Sequence, residues 1–252
     1  MFPNRVLRFV PVVSNPHVIY GGIVLERLCA AYAGFGLKTL VVDAGERARA
    51  PSELASFDLG EDIEALSSDV SYLPARGLPL RHVDAQGSSG GLVEVLADAA
   101  PQTDVVILHA SASELVRVLG KRAKGHNLRP LLFTDANPAG LTHAYAAVKV
   151  MVQRAQWMAH DLIVCAGPGS KMGAQVASRL ASCADSFLGA AQRDWVLINP
   201  MEPASQDPSD AFLSMAADQL RCALPHALGE NAFDQLVSPG AALPSRRTPV
   251  FN

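Results

Sequence analysis

Phosphate chemistry in an α/β protein asks for a glycine-rich loop whose backbone N–H groups face the ligand, a lysine to reach the phosphates and a hydroxyl to hold magnesium. Two segments come near this pattern. Ser14 to Gly22 (SNPHVIYGG) follows an apolar run and precedes a helical pattern. It carries no lysine, Pro16 has no N–H, and Val18, Ile19 and Tyr20 disfavour the positive φ angles of a phosphate-cradling nest. Gly167 to Gly173 (GPGSKMG) also lies between a strand pattern and a helical one, where N–H groups and the helix dipole attract anions. Its order is Gly-Ser-Lys rather than Gly-Lys-Ser, and it is one residue short of a Walker loop. A plain strand-to-helix turn is the preferred reading, with Gly167, Gly169, Ser170 and Lys171 kept as a candidate anion site.

Nucleophilic and metal chemistry have weaker footholds. His109 followed by Ser111, Ser113 and Glu114 invites a hydrolase reading, yet no Gly-x-Ser-x-Gly elbow accompanies it. Cys29, Cys165, Cys183 and Cys222 are scattered without a Cys-x-x-Cys pair, which reads as reduced thiols of a cytosolic protein rather than a disulfide framework or zinc site. The seven histidines show no paired ligand spacing, so no metal is expected. Ser88 to Gly91 looks like an ordinary loop that starts a helix at Leu92.

The elements that would position these residues follow from composition and period. At 252 residues, the chain is long enough for one large domain, or one domain and a tail. With 49% hydrophobic residues it is neither disordered nor fibrous. Arg5 to Val13 is a strand candidate, Ile23 to Phe35 a helix with Leu25, Leu28, Cys29 and Tyr32 on one face, and Leu37 to Gly45 a β-branched run suited to a buried parallel strand. Further apolar runs recur at Asp104 to Leu108, Pro130 to Thr134, Leu162 to Cys165 and Trp195 to Ile198, with helical patterns between them. The pattern predicts an α/β fold: a doubly wound, mainly parallel sheet with helices on both faces. The uncharged run Phe9 to Leu25 is broken by prolines and polar residues and falls short of the ~20 residues of a membrane span.

Charge is distributed unevenly. Glu53, Asp58, Glu61, Asp62, Glu64 and Asp69 crowd the stretch from Pro51 to Pro74, which reads as a solvated face or, more sharply, a docking surface for a basic partner. Arg117 to Arg129 is basic, read as an exposed helix end or else a contact for nucleic acid or anionic lipid. The net charge of −3 gives no reason to expect a nucleic-acid partner. After residue 203 an amphipathic helix is expected from Asp210 to Leu224, followed by a disordered tail, so the chain divides into 1–203 and 204–252. That helix lacks the basic face of a membrane-surface helix, which leaves membrane association with little support.

In this setting the chain resembles the ParA/MinD family of deviant Walker-type (P-loop) ATPases, and within it the FlhG (FleN) flagellar-number branch. The resemblance runs from about Arg5 to Pro200. It rests on the strand, loop, helix, LKTLVVDAG layout and on Pro138 to Lys149 (PAGLTHAYAAVK), which is similar to that branch's Pro-x-x-Ile-Thr-x-Ala-Tyr-x-x-Ile-Lys segment. Val176 to Leu188 is similar to the branch's next helix. The resemblance implies a nucleotide site at Asn15, Pro16, Gly21, Gly22, Asp43, His109 and Cys165, and at each functional position but Asp43 the residue has changed. Pro16 stands for the signature lysine, Gly21 for the phosphate-binding lysine and Gly22 for the magnesium hydroxyl. Gly45 replaces the second Asp of Asp-Ala-Asp, His109 the metal-ordering Asp, and Cys165 the adenine-reading Asn. Such losses at separate positions imply a vestigial site without cofactor. None of Lys38, Lys121, Lys124, Lys149 and Lys171 stands in the first loop.

The expectation is therefore a non-catalytic regulator or scaffold that works through protein contacts, in flagellar or other polar or envelope assembly. Its N-terminus, MFPNRVLRF, lacks the branch's Gln-Ala-x-x-Leu-Arg-like activator segment. A homodimer could reuse Val18, Ile19 and Tyr20 as an apolar interface. The location expected is cytoplasmic, with peripheral attachment at the inner membrane or pole left open. An ATPase or nucleotide switch using ATP and magnesium at Gly167 to Gly173 is the alternative, and a DNA-binding partition protein a third.

Overall fold

The computed structural model describes residues 5–53, 58–167, 170–203 and 206–228. Long apolar runs build the centre of one nine-stranded sheet. Strands β1 (Arg5–Val13), β2 (Thr39–Asp43), β5 (Val105–Ala110), β6 (Leu131–Thr134), β7 (Ala159–Cys165) and β8 (Ala191–Ile198) are the expected runs, with ends shifted by a few residues. Between β2 and β5 lie β3 (Glu64–Ala65) and β4 (Val70–Pro74), and β9 (Leu224–Leu228) comes last. The spatial order is β3-β4-β2-β5-β1-β6-β7-β8, and β9 pairs with β1. All pairs are parallel except β3 with β4 and β9 with β1.

Helices α1 (Gly21–Gly34), α2 (Leu78–Arg81), α3 (Leu92–Ala99), α4 (Ala112–Leu119), α5 (Pro138–Ala155), α6 (Lys171–Leu188) and α7 (Asp210–Cys222) connect the strands. The starts of α4 and α5 are chemically marked. Ser111 and Glu114 form a reciprocal capping box at α4, and Asn137 caps α5 with Pro138 in its first turn. The two layers are unequal. Residues of α2 to α6, among them Leu78, Leu96, Leu115, Val148 and Leu180, pack on one face of the sheet. Among the described residues, the other face meets α1 and α7, through residues such as Leu28, Tyr32, Phe212 and Met215.

The acidic stretch keeps its carboxylates at the surface, and within it Val70 and Tyr72 on one side and Leu73 on the other carry β4 into the sheet beside β2. The helix expected from Asp210 is present as α7, and the segment after 203 is tied to the body of the sheet. The buried guanidinium of Arg27 in α1 donates to the carbonyls of Glu202, Pro203 and Gln206 at 3.1, 2.9 and 2.7 Å. Beyond that clasp, α7 buries Phe212, Met215 and Ala216, and β9 lies antiparallel along Arg5–Phe9 of β1. Apolar burial joins this segment to the same core. The tail expected beyond Leu228 lies outside the described residues.

A polar tie fixes α7 as well. Asp161 is fully buried in β7 and accepts a hydrogen bond from Gln219 Nε2 at 2.5 Å. The Arg129 guanidinium lies 3.6 Å from it and 3.8 Å from Asp218 of α7. Burial raises the Asp161 carboxyl above its ordinary range, and Arg129 and Gln219 counter that only in part.

Candidate functional site

In sheets of this kind, ligands bind beyond the carboxyl ends of the strands. There, at the ends of β1, β2, β4 and β5, a cleft of about 210 Å³ opens between the β1–α1 loop and the β2 exit. Its volume falls below the roughly 300–1,000 Å³ of ordinary small-molecule sites.

The β1–α1 loop forms one wall. Ser14 extends the ladder through its N–H to the Ala110 carbonyl at 2.8 Å, and its hydroxyl donates to Glu46 Oε2 at 2.9 Å. Asn15 then turns inward. Its side-chain amide is buried and donates to the carbonyls of Phe133 in β6 and Gly140 in α5, both at 3.0 Å, while its Oδ1 accepts from the His17 N–H at 3.3 Å. Val18 follows it into the core at 2% exposure, against an α5 that approaches closely. A Cβ on Gly140 would lie 3.2 Å from Val18 Cγ2 and 3.0 Å from Asp135 Oδ1. The His17 and His143 rings meet edge to face across the same junction at 5.7 Å.

The loop therefore hangs on side chains that reach into the protein. A phosphate-binding loop instead turns its N–H groups around an anion, using left-handed residues to do so. Among the described residues, positive φ occurs at Gly36, Gly77, Gly87, Gly125, Gln156 and Gly189, and none of these falls between Ser14 and Gly22. Helix α1 starts at Gly21, two residues earlier than expected, so both glycines form its first turn instead of a cradle. Gly21 has a packing role, since a Cβ there would meet Phe133 Cζ at 3.3 Å.

The opposite wall is built by residues at the ends of β2, β5 and β4. Asp43 and His109 are register partners on neighbouring strands, so their side chains share a face, and His109 Nδ1 lies 2.7 Å from Asp43 Oδ1. The Gly45 N–H donates to the same oxygen at 3.0 Å, and the Tyr72 hydroxyl donates to Oδ2 at 3.1 Å. Burial pushes the Asp43 carboxyl up. The hydrogen bond and charge of His109, with Gly45 and Tyr72, outweigh it and hold the group below the usual carboxylate range. Burial, followed by the Asp43 charge, moves Tyr72 the other way, to about 12. The His109 Nε2 atom is buried without a hydrogen-bond partner.

Gly45 and His109 are in contact. A Cβ on Gly45 would lie 2.8 Å from His109 Cε1, so the imidazole fills the space that a side chain at 45 would need. The two positions at which the family resemblance expects aspartates are therefore in steric contact with one another. Among the described residues, no lysine lines the cleft. Its cations are engaged elsewhere: Arg47 donates to the Pro16 carbonyl at 2.7 Å, and Arg49 pairs with Glu64 at 2.7 Å.

The remaining site expectations come apart. Cys165 ends β7 as expected, but it is buried and its thiol is pushed up to about 12 by burial and by Asp135, so it is inert. The hydrolase grouping dissolves. Ser111 and Glu114 satisfy one another as the α4 cap, with the Ser111 hydroxyl 2.8 Å from Glu114 Oε2, while His109 faces Asp43. Of the candidate anion loop, Gly167, Ser170 and Lys171 sit at the start of α6, distant in sequence from the cleft wall, and Gly169 lies outside the described residues. Val18, Ile19 and Tyr20 do not form one apolar surface, because Val18 is core, Tyr20 is half-buried and only Ile19, at 69% exposure, faces solvent. Among the described residues, no group of three or more His, Cys, Asp or Glu is placed to hold a metal ion, and no helix is long and apolar enough to cross a membrane.

Tyr72, Glu46, Arg47 and Phe133 belong to the cleft without having been singled out from sequence. For Tyr72 a signal existed in the alternation of Val70 and Tyr72. For Phe133 and the anchoring role of Asn15 there was none, since both depend on which strand lies beside β1.

Solved structures share this architecture. Cobyrinic acid a,c-diamide synthase from Mycobacterium smegmatis, solved with bound ADP and magnesium, superimposes with a TM-score of 0.56 at 14% identity, over 85% of this chain and 94% of that one. A putative plasmid partition protein from Borrelia burgdorferi B31, bound to AMPPNP, gives a TM-score of 0.53 at 8% identity over 87% and 98%. The ParA family ATPase from Chlorobium tepidum TLS matches at 0.48 and 10% identity over 85% and 98%, too loose a superposition to argue from. No family model and no curated protein matches the chain. The likeness is to the mainly parallel, P-loop NTPase-like α/β fold of these two nucleotide-bound proteins, and identities this low speak to fold alone.

Proposed function

We propose that this chain is a non-catalytic regulator or scaffold on a ParA/MinD-like body, acting through protein contacts and not through a nucleotide cycle. The observation that carries this reading is the β1–α1 loop. Asn15 pins it to β6 and α5, none of its residues takes a left-handed conformation, and no lysine stands near it among the described cleft residues. Two solved structures that share the fold hold nucleotide, whereas in this chain Asn15 and Val18 turn from the β1–α1 loop into the protein, which supports the reading. The Asp43–His109–Tyr72 cluster then serves to hold the ends of β2, β5 and β4 together. The cellular setting, flagellar or otherwise polar, rests on the resemblance of Pro138 to Lys149 to the FlhG segment.

Isothermal titration with ATP and magnesium tests the reading. The expected result is no heat of binding up to millimolar nucleotide. Micromolar binding that Gly21→Glu abolishes would overturn it and favour a nucleotide switch. Binding that survives Gly21→Glu but is lost in Lys171→Ala would favour the loop before α6.

A further inference from the structure

A sheet wound on both faces needs apolar cover on both, and among the described residues the two faces are covered unequally. Helices α2 to α6 pack on one side, whereas α1 and α7 are the described helices on the other. Beyond α1, toward the β3–β4 margin, no described helix covers the sheet. A groove of about 630 Å³ runs there, with Leu25, Cys29, Ala30 and Ala33 of α1 on one wall and Val70 and Tyr72 of β4 on the other. Leu66, at 61% exposure, stands at its rim. The α1 wall extends from Gly22 to Ala33, about 16 Å or three helical turns at 1.5 Å per residue.

We infer that this groove docks an amphipathic helix with a basic polar face, supplied by a partner protein. The inference rests on the proposed role as a regulator that acts through protein contacts, and it names the surface and the kind of partner. Charge decides the class of occupant. Among the described residues the charged groups lining the groove are Glu26 and Asp43, and no Lys, Arg or His lines it. Glu64 is the register partner of Tyr72 across β3 and β4, and Asp69 precedes Val70, so the far rim is acidic as well. Arg49 is the one cation paired there, with Glu64. The acidic run between Pro51 and Pro74 thus borders an apolar trough, and a helix laying leucines into the trough would set lysines or arginines against both rims.

Other occupants fit less well. A two-fold symmetric second copy would set the acidic rims of one copy, with Glu26, Glu64 and Asp69, against the same acidic patch of the other, placing like charges together. An added strand would need an edge to pair with, and β3 is two residues long. An anionic membrane would be repelled by the same rims.

Fluorescence anisotropy with two labelled 18-residue helical peptides tests the inference. The peptides share one leucine pattern and carry lysine on the polar face in one and glutamate in the other. The full-length protein is expected to bind the lysine peptide with micromolar affinity and the glutamate peptide at least tenfold more weakly. Ala30→Arg, an exposed substitution at the trough, should abolish lysine-peptide binding while leaving the thermal midpoint unchanged. Glu26→Lys with Asp69→Lys should invert the preference between the peptides. Equal binding of both peptides, no binding of either, or binding that Ala30→Arg leaves intact would each overturn the inference. So would a concentration-dependent dimer in sedimentation that Ala30→Arg dissolves, which would assign the groove to a second copy. ATP binding in the titration above would sink the non-catalytic reading without touching the peptide result, so the two can fail separately.

Discussion

His109 Nδ1 lies 2.7 Å from Asp43 Oδ1, and the same imidazole closes the space above Gly45. One ring thus takes the hydrogen bond of the last residue of β2 and forbids a side chain two residues further on. The change at 109 and the glycine at 45 form a single steric unit.

That unit can be measured as a coupling. Gly45→Asp alone should destabilise the protein by about 2 kcal/mol, because the new Cβ would overlap His109 Cε1. In His109→Ala the ring is gone, and the same Gly45→Asp change should cost at least 1 kcal/mol less in urea denaturation. Additive losses in the double variant would mean that the contact does not govern what position 45 tolerates.

Acid should weaken the fold through His160. Burial in β7 lowers this imidazole from 6.5 to about 4. The unfolded chain therefore takes up a proton that the folded one refuses. Stability from this group is fully present above about pH 6.5 and declines as pH falls toward 4, by about 3 kcal/mol in all. His160→Gln should flatten that part of the stability-against-pH curve. An unchanged slope between pH 6.5 and 4 would show that His160 is protonated at no cost in the folded state.

The Asp161–Gln219 hydrogen bond predicts how the end of the chain unfolds. Gln219→Leu leaves the buried carboxylate with Arg129 and the Asp194 N–H and should cost about 2 kcal/mol. Because α7 and β9 share the core with α1 and β1, the variant should still melt in one transition, read together by far-ultraviolet dichroism and by cleavage at Arg221. Two separate transitions would instead restore a division near residue 203.

These relationships differ in how far the sequence discloses them. The six long strands are readable because a parallel strand buried on both faces is a continuous apolar run, as in DVVIL or LIVC. Strand β4 is half-exposed and sits among carboxylates, so charge masks the alternation of Val70 and Tyr72. Strand β9 contains Pro225 and His226, which local propensity places in a turn, yet pairing with β1 overrides that preference. His160 and Asp161 read as the approach to a strand because buried polar residues are recognisable only with their partners, and Gln219 lies 58 residues away. In the candidate site, the missing lysines are plain in the sequence. That Asn15 reaches β6 and that His109 covers Gly45 are facts of strand order, which no local pattern contains.

The pinned β1–α1 loop has a consequence for control. A nucleotide switch works because its loop has two arrangements and a ligand selects between them. The Asn15 amide, with one bond to β6 and one to α5, holds this loop in the arrangement described. Under the proposed reading as a non-catalytic regulator, such a body would keep no time and reset nothing. Its signal would then scale with the number of copies in the cell, and its off-switch would be dilution or proteolysis.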